Sequence, residues 1–165
     1  TACHKFMECC NIEMAGDDLQ AEIARLQNNG VLTQMQAKAI DLSKIKPFFE
    51  SDLYTDIIKN ADSLYREKNF IASLPAYEVY GDVPDVMKNE EIVIQGAADL
   101  ILLKDETLYI IDYKTDRVKD GNALIEKYKL QLEIYSKAFS RIFHCKNTKN
   151  VIYSFHLGKS IFLNE

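Results

Sequence analysis

The spacing of apolar residues divides the chain into a helical first third and a strand-rich remainder. Over residues 1–14 the apolar positions 2, 3, 6, 7, 10 and 14 recur at helical intervals. Asp17 is placed to cap a second helix running to Gln27, and Asn28-Asn29-Gly30 to terminate it. Thr33 and Gln36 form a capping box that opens a third. "KIKPFFESDLYTDIIKNA" continues the helical character around Pro47. After Leu64 the period shortens. "YREKNFIASLPAYEVYG" predicts one or two strands broken at Pro75, and "DVPDVMKNEE" a polar loop. "IVIQGAADLILL" and "TLYIIDYK" predict two strands joined by Lys104-Asp105-Glu106-Thr107. "NALIEKYKLQLEIYSKAFSRIF" predicts a long helix with an apolar stripe at 124, 128, 132, 135, 139 and 142, and "NVIYSFHLG" and "KSIFLNE" predict closing strands. The expected class is α/β: one domain over 1–165, with an N-terminal helical segment over 1–62 and a mixed central sheet flanked by helices over 63–165.

Composition supports a single globular unit. The 165 residues are 47% hydrophobic and include only six glycines and three prolines, enough for a sizeable core. No apolar run reaches the roughly 20 residues that span a bilayer, and no signal peptide is recognised, so a soluble intracellular setting is expected. The chain opens on Thr1 within a helical pattern, which leads us to expect a piece of a longer polypeptide. Cys3, Cys9, Cys10 and Cys145 match neither a zinc pattern nor a disulfide framework, and are expected to be reduced thiols. The net charge of −5 argues against a polyanionic partner until its distribution is considered. Residues 1–100 hold 9 basic and 17 acidic side chains, whereas residues 101–165 hold 11 and 8. The potential close to a site governs attraction of a polyanion more than the total does, so the C-terminal half permits nucleic acid.

Two acidic residues stand where strands are predicted. Asp112 and Lys114 share a sheet face because side chains alternate along a strand. With residues 104–107 as a four-residue hairpin loop, Leu103 pairs with Leu108 and Asp99 falls opposite Asp112, their β-carbons about 5 Å apart. Their expected face neighbours Ala97, Ile101, Leu108 and Ile110 are apolar. Like charges facing each other on a covered sheet need a cation. Lys114 alone would make a lysine-bridged pair, but one charge answers two poorly. Hard oxygen ligands instead select a divalent ion, Mg²⁺ or Mn²⁺. Gly96, Ala97 and Ala98 leave room for a ligand or a backbone to approach.

Gly96-Ala97-Ala98-Asp99, then Asp112-Tyr113-Lys114-Thr115-Asp116, then Gln131-Leu132-Glu133-Ile134-Tyr135 resembles the motif series of the PD-(D/E)XK nucleases, with a restriction-endonuclease-like core, and most of all their RecB-type exonuclease branch. Thr1-Ala2-Cys3-His4 resembles the end of the "GTAxH" helix that supplies that branch with its histidine. The likeness runs from position 1 to about 160 and is greatest to the C-terminal nuclease domain of the AddA-type helicase–nucleases of AddAB recombination complexes.

The resemblance implies a Mg²⁺-dependent DNA exonuclease, with Mn²⁺ able to substitute, that processes double-strand-break ends in the bacterial cytoplasm beside a second, AddB-type subunit. It implies His4, Asp99, Asp112 and the carbonyl of Tyr113 as metal ligands. Asp99, Asp112, Lys114, Gln131 and Tyr135 are the implied catalytic set. A phosphodiester is a poor, negatively charged electrophile, and a divalent ion answers both difficulties. Lys114 is expected to orient water or to stabilise developing charge, since two nearby carboxylates favour its charged form. Gln131 and Tyr135, four apart, share one helix face and are implied to orient the site and touch DNA. Thr115 is placed to donate to a phosphate or a metal-bound water, and Asp116 to cap a local turn. Glu67 resembles an acidic position before the first strand. Lys127, Lys129, Lys137 and Arg141 form either a phosphate-tracking edge or a solvated helix face. His144 and His156 have no assigned role. No GxxxxGK[ST] stretch occurs, so no ATP site is expected here. Two other readings stand beside this one: a stand-alone RecB-like exonuclease of the CRISPR-adaptation kind, and an inert nuclease-like module that only binds DNA or protein.

Overall fold

Side-chain caps divide the N-terminal helical stretch more finely than its periodicity predicts. A computed structural model describes residues 1–163. The helix expected over 1–14 is two, α1 (Ala2–Cys9) and α2 (Ile12–Asp17), because the Asn11 side chain accepts the N–H groups of Glu13 and Met14 and starts a new turn there. Asp18, not Asp17, caps α3 (Leu19–Asn28). The Thr33–Gln36 capping box forms as expected and opens α4 (Gln34–Ala39). Two further helices follow, α5 (Leu42–Phe49) and α6 (Asp52–Lys59). No helix among the described residues is long and apolar enough to cross a membrane.

Strand β1 (Leu64–Pro75) runs unbroken to Pro75, where the expected second strand is instead a short helix, α7 (Ala76–Tyr80). After it come β2 (Glu91–Lys104), β3 (Thr107–Lys114), α8 (Gly121–Phe143), β4 (Asn147–Ser154) and β5 (Lys159–Phe162). Residues 164–165 of the expected closing strand lie outside the described residues. The five strands stand in the order β1-β2-β3-β4-β5. Only β3 and β4 are parallel, as a strand–helix–strand crossover through α8 requires. Asp120 starts α8 by accepting the N–H groups of Asn122 and Ala123, and His144 ends it in a left-handed conformation.

Both sheet faces are covered. The N-terminal helices pack Phe6, Met7, Leu26, Ile45, Phe48 and Ile57 against Leu100, Leu102, Ile111, Tyr113 and Tyr153. Helix α8 packs Leu124, Leu132 and Phe139 against Ile101, Leu108, Ile110 and Ile152. Burying this much apolar surface on two faces is the main stabilisation of such a three-layer fold.

Two departures from regular sheet create the ground for a site. First, β1 and β2 keep one register from Leu64–Leu102 to Pro75–Glu91, but the ladder skips Glu67, which sits at φ 46° level with Asp99. The side-chain alternation inverts there: Leu100 and Leu102 face the N-terminal helices, while Ala98 faces α8. Ala98, rather than the expected Ala97, thus shares the α8 face with Ile101. Second, Lys104 pairs with Thr107, so the hairpin loop is Asp105-Glu106 alone, at φ 49° and 57°, and not the four residues expected. The predicted Leu103–Leu108 pair forms nonetheless. That ladder ends at Leu100–Ile111, whereas β3 stays paired with β4 through Lys114–Ser154. Beyond Ile111 the two antiparallel strands part.

Candidate active site

The parting of β2 from β3 opens a wedge in the sheet, and the acidic residues stand on its two sides. Counting back from the turn keeps Asp99 level with Asp112, but the backbones no longer pair there. Instead the Asp99 carboxylate reaches across and accepts the N–H of Tyr113 at 2.7 Å. This bond satisfies a strand N–H that would otherwise lack a partner.

Asp112 is 5% exposed. Lys114 Nζ lies 2.5 Å from its Oδ2 in a geometry that is an ion contact and not a hydrogen bond, which leaves Oδ2 as a buried oxygen without a hydrogen-bond partner. Burial pushes the Asp112 carboxyl above its ordinary value, Lys114 pulls it back, and Asp99 pushes it up again. Lys114 is held from the other side by the Tyr128 ring, whose centroid is 4.1 Å from Nζ. The Tyr128 hydroxyl donates to Asp116, 3.1 Å from each carboxylate oxygen, and Lys127 pairs with the same carboxylate. Periodicity places Tyr128 only in the apolar stripe of α8. Its spacing from Leu124 and Leu132 gives no sign that its ring rests on Lys114.

His4 sits in the first turn of α1. Its Nε2 is 2.9 Å from the carbonyl oxygen of Tyr113, and its Nδ1 is bonded to Thr1 Oγ1. Two of the implied ligands therefore face each other at a separation that suits neighbours in one coordination sphere. The donor set of carboxylates, a carbonyl and an imidazole suits a hard divalent ion. As the side chains are placed, no three His, Cys, Asp or Glu among the described residues enclose an ion, since Asp99 is turned to Tyr113 N–H and His4 to Tyr113 O.

Glu67 belongs to this neighbourhood too, inside β1 and not before it. Burial pushes its carboxyl up, Asp99 and Glu8 push it further, and His4 and Arg66 pull it down. Arg66 beside it fastens α1 to the sheet: its guanidinium donates to the carbonyls of Met7 and of Cys10, the latter at 2.6 Å.

Tyr135 lies under the sheet, its ring 5.1 Å from that of Phe70. A methyl group at Gly96 would come within 2.8 Å of the Tyr135 hydroxyl and 2.9 Å of the Phe70 ring. The space expected beside Gly96 is thus filled by Tyr135. Gln131, one turn earlier, is half-buried. Thr115 follows Lys114 out of β3.

The basic residues of α8 are a braced helix face, not an open edge. Lys127 pairs with Asp116, Lys129 with Glu133 and Arg141 with Glu78, while Lys137 donates to Glu78 O. All four cysteines are free. Burial pushes the Cys3 thiol up to about 12, so beside His4 it stays protonated at neutral pH.

Comparison with known proteins gives the arrangement its family. The profile of the PD-(D/E)XK nuclease superfamily matches residues 14–159. The A subunit of the ATP-dependent helicase/nuclease of Ligilactobacillus salivarius (strain UCC118) is 34% identical over 151 residues, which take in 92% of this chain and 12% of that protein. Proteins of the same name are similar in Clostridium acetobutylicum, at 29% over 168 residues, and in Ruminiclostridium cellulolyticum, at 32% over 164 residues; each match takes in 98% of this chain and 13% of the relative. The chain therefore spans about an eighth of the length of these relatives. With the superfamily profile matched over most of its length, around a wedge that carries the motif residues Asp99, Asp112 and Lys114, this chain belongs to the PD-(D/E)XK nuclease superfamily.

Proposed function

We propose that the chain is a metal-dependent deoxyribonuclease domain, acting as an exonuclease within an AddA-type helicase–nuclease and hydrolysing phosphodiester bonds as double-strand-break ends are processed for recombinational repair. The observation that carries this reading is the wedge that sets the buried Asp112 carboxylate level with Asp99 on the opposite strand, with Lys114 Nζ 2.5 Å from Asp112 Oδ2. One ammonium answers two neighbouring carboxylates only in part, which favours a further cation between them.

His4, Asp99, Asp112 and the Tyr113 carbonyl would hold Mg²⁺, or Mn²⁺ in its place. The ion supplies positive charge to the scissile phosphate and lowers the pKa of the attacking water. Asp112 would bind from β3, and Asp99 from β2. His4 enters from α1, which Arg66 ties to β1. Lys114, fixed between Asp112 and the Tyr128 ring, points its ammonium at the reacting volume, where it orients the water and donates to phosphoryl oxygens as charge develops. Gln131 and Tyr135, four apart on α8, would orient the site and touch the DNA backbone. In this reading residues 1–165 are one nuclease domain of a larger cytoplasmic protein. DNA is its substrate, an AddB-type subunit is its partner, and ATP-driven unwinding resides elsewhere in the parent polypeptide.

End-labelled single-stranded DNA incubated with the chain and Mg²⁺ tests the proposal. Asp112→Asn is expected to lower the cleavage rate by at least about 10²-fold, EDTA to stop it, and circular single strands to resist it. Mg²⁺-dependent degradation retained by Asp112→Asn would defeat the assignment.

A further inference from the structure

Beside the wedge lies a cavity of about 390 Å³ that the chemistry above does not use. Two of its lining residues are chain neighbours of the proposed reacting groups: Thr115 follows Lys114 and Cys3 precedes His4. Three separate parts of the chain bring basic or hydrogen-bonding side chains to it: Lys44 from α5, Arg117 from the loop after β3, and His156 from the turn between β4 and β5.

These cations differ from the others near the site in what they meet. On α8 Lys127, Lys129 and Arg141 are answered by the carboxylates of Asp116, Glu133 and Glu78, and Lys137 by the Glu78 carbonyl. Among the described residues neither Lys44 nor Arg117 forms an ion pair with a carboxylate. Lys44 donates to a carbonyl, His156 O, at 3.5 Å. Asp41 is the one carboxylate on the wall, and its Oδ1 is turned to its own helix, accepting Ser43 N–H at 3.0 Å and Ser43 Oγ at 2.6 Å. Lys44 and Arg117 are exposed and therefore available to a ligand.

We propose that this cavity is the subsite for the nucleotide next to the bond that is cut, with Lys44 and Arg117 gripping its phosphodiester; the inference rests on the nuclease reading above. The volume is that of a small ligand site and accommodates one nucleotide unit. Arg117 offers a planar fork to two phosphate oxygens, and Lys44 a mobile point charge. Thr115, between the cavity and Lys114, donates its hydroxyl to the same backbone. Ala2 and Ile45 give the sugar an apolar wall. Contacts of this kind register the strand without reading its bases, as a nuclease that advances along any sequence needs.

Fluorescence anisotropy of a labelled, roughly 12-nucleotide single strand, measured in EDTA so that nothing is cut, tests the subsite. Both substituted positions are exposed, and circular dichroism is the check that the variant is folded. Lys44→Ala combined with Arg117→Ala is expected to weaken binding at least about 10-fold near 0.1 M salt. It should also reduce the slope of log K against log salt by about 0.7 for each phosphate that the variant no longer neutralises. Wild-type affinity and slope in the double variant, with the wild-type chain cleaving normally in Mg²⁺, would overturn the subsite alone. A wild-type chain that neither binds nor cuts single strands would overturn the nuclease reading and the subsite with it.

Discussion

Asp112 carries a charge that its surroundings disfavour. Burial is the largest influence on its carboxyl and raises it above the ordinary 3.8, and the contact with Lys114 offsets only part of that. An acid whose folded value is raised contributes most to stability while it is protonated, below its unfolded value, and the contribution is lost as pH rises through the folded value. The metal-free chain should therefore lose stability relative to Asp112→Asn between about pH 4 and neutrality. Thermal melts should show the difference between variant and wild type moving in the variant's favour from about pH 4 to pH 7. Mg²⁺ should raise the wild-type melting temperature and leave that of the variant unmoved, because only an ion bound to the folded state adds stability. A wild type that gains nothing from Mg²⁺ would count against Asp112 as a ligand.

At the scale of the element, the β2–β3 hairpin is half legible in the sequence. Alternation sets Leu103 against Leu108, and the structure keeps that pair. It also implies that alternation continues through Asp99 to Ala97. "REKNF" contains no glycine or proline to warn of a bend, yet Glu67 takes a left-handed conformation and the alternation of both strands inverts beside it. The small residue Gly96 suggests space for a ligand; its neighbours are Tyr135 and Phe70, and only packing across the sheet could reveal that. Gly96→Ala should accordingly destabilise the domain by about 1–3 kcal/mol in urea titration. Tyr135→Phe should restore part of the loss, since the hydroxyl is the nearer of the two obstacles. A neutral Gly96→Ala would mean that α8 does not press on the sheet there.

Across the whole molecule, the division into helices and then sheet is readable because the apolar period changes once, near Leu64. What local pattern could not convey is how the helical layer is fastened. Arg66 reaches Met7 and Cys10, and the buried Glu22 accepts Arg25 at 2.6 and 2.7 Å and Asn11 N–H at 2.6 Å. These are contacts between residues far apart in sequence or otherwise unremarkable side by side. The bond from Arg25 holds the Glu22 carboxyl below its ordinary 4.5 despite burial. A lowered acid contributes stability above its unfolded value and loses it as pH falls through the folded value. Glu22→Gln should therefore cost about 2 kcal/mol at pH 7, less than a fully enclosed pair because Arg25 keeps solvent contact. It should also flatten the acid limb of the stability curve below pH 4.5; an equally steep limb in the variant would assign the acid sensitivity elsewhere. The charge distribution is a weaker guide. On α8 Lys127, Lys129 and Arg141 are paired with carboxylates, and the unpaired cations beside the wedge come from α5 and from the segment leaving β3.

Among the described residues, Glu67 is the one residue inside a strand at positive φ other than glycine. Glycine would rest there freely, whereas glutamate gives up about 1–3 kcal/mol. Selection for thermal endurance alone would favour glycine at this position. Relaxing that backbone angle with glycine would also strip a carboxylate from beside Asp99, so the same torsion that costs stability holds part of the negative charge around the wedge.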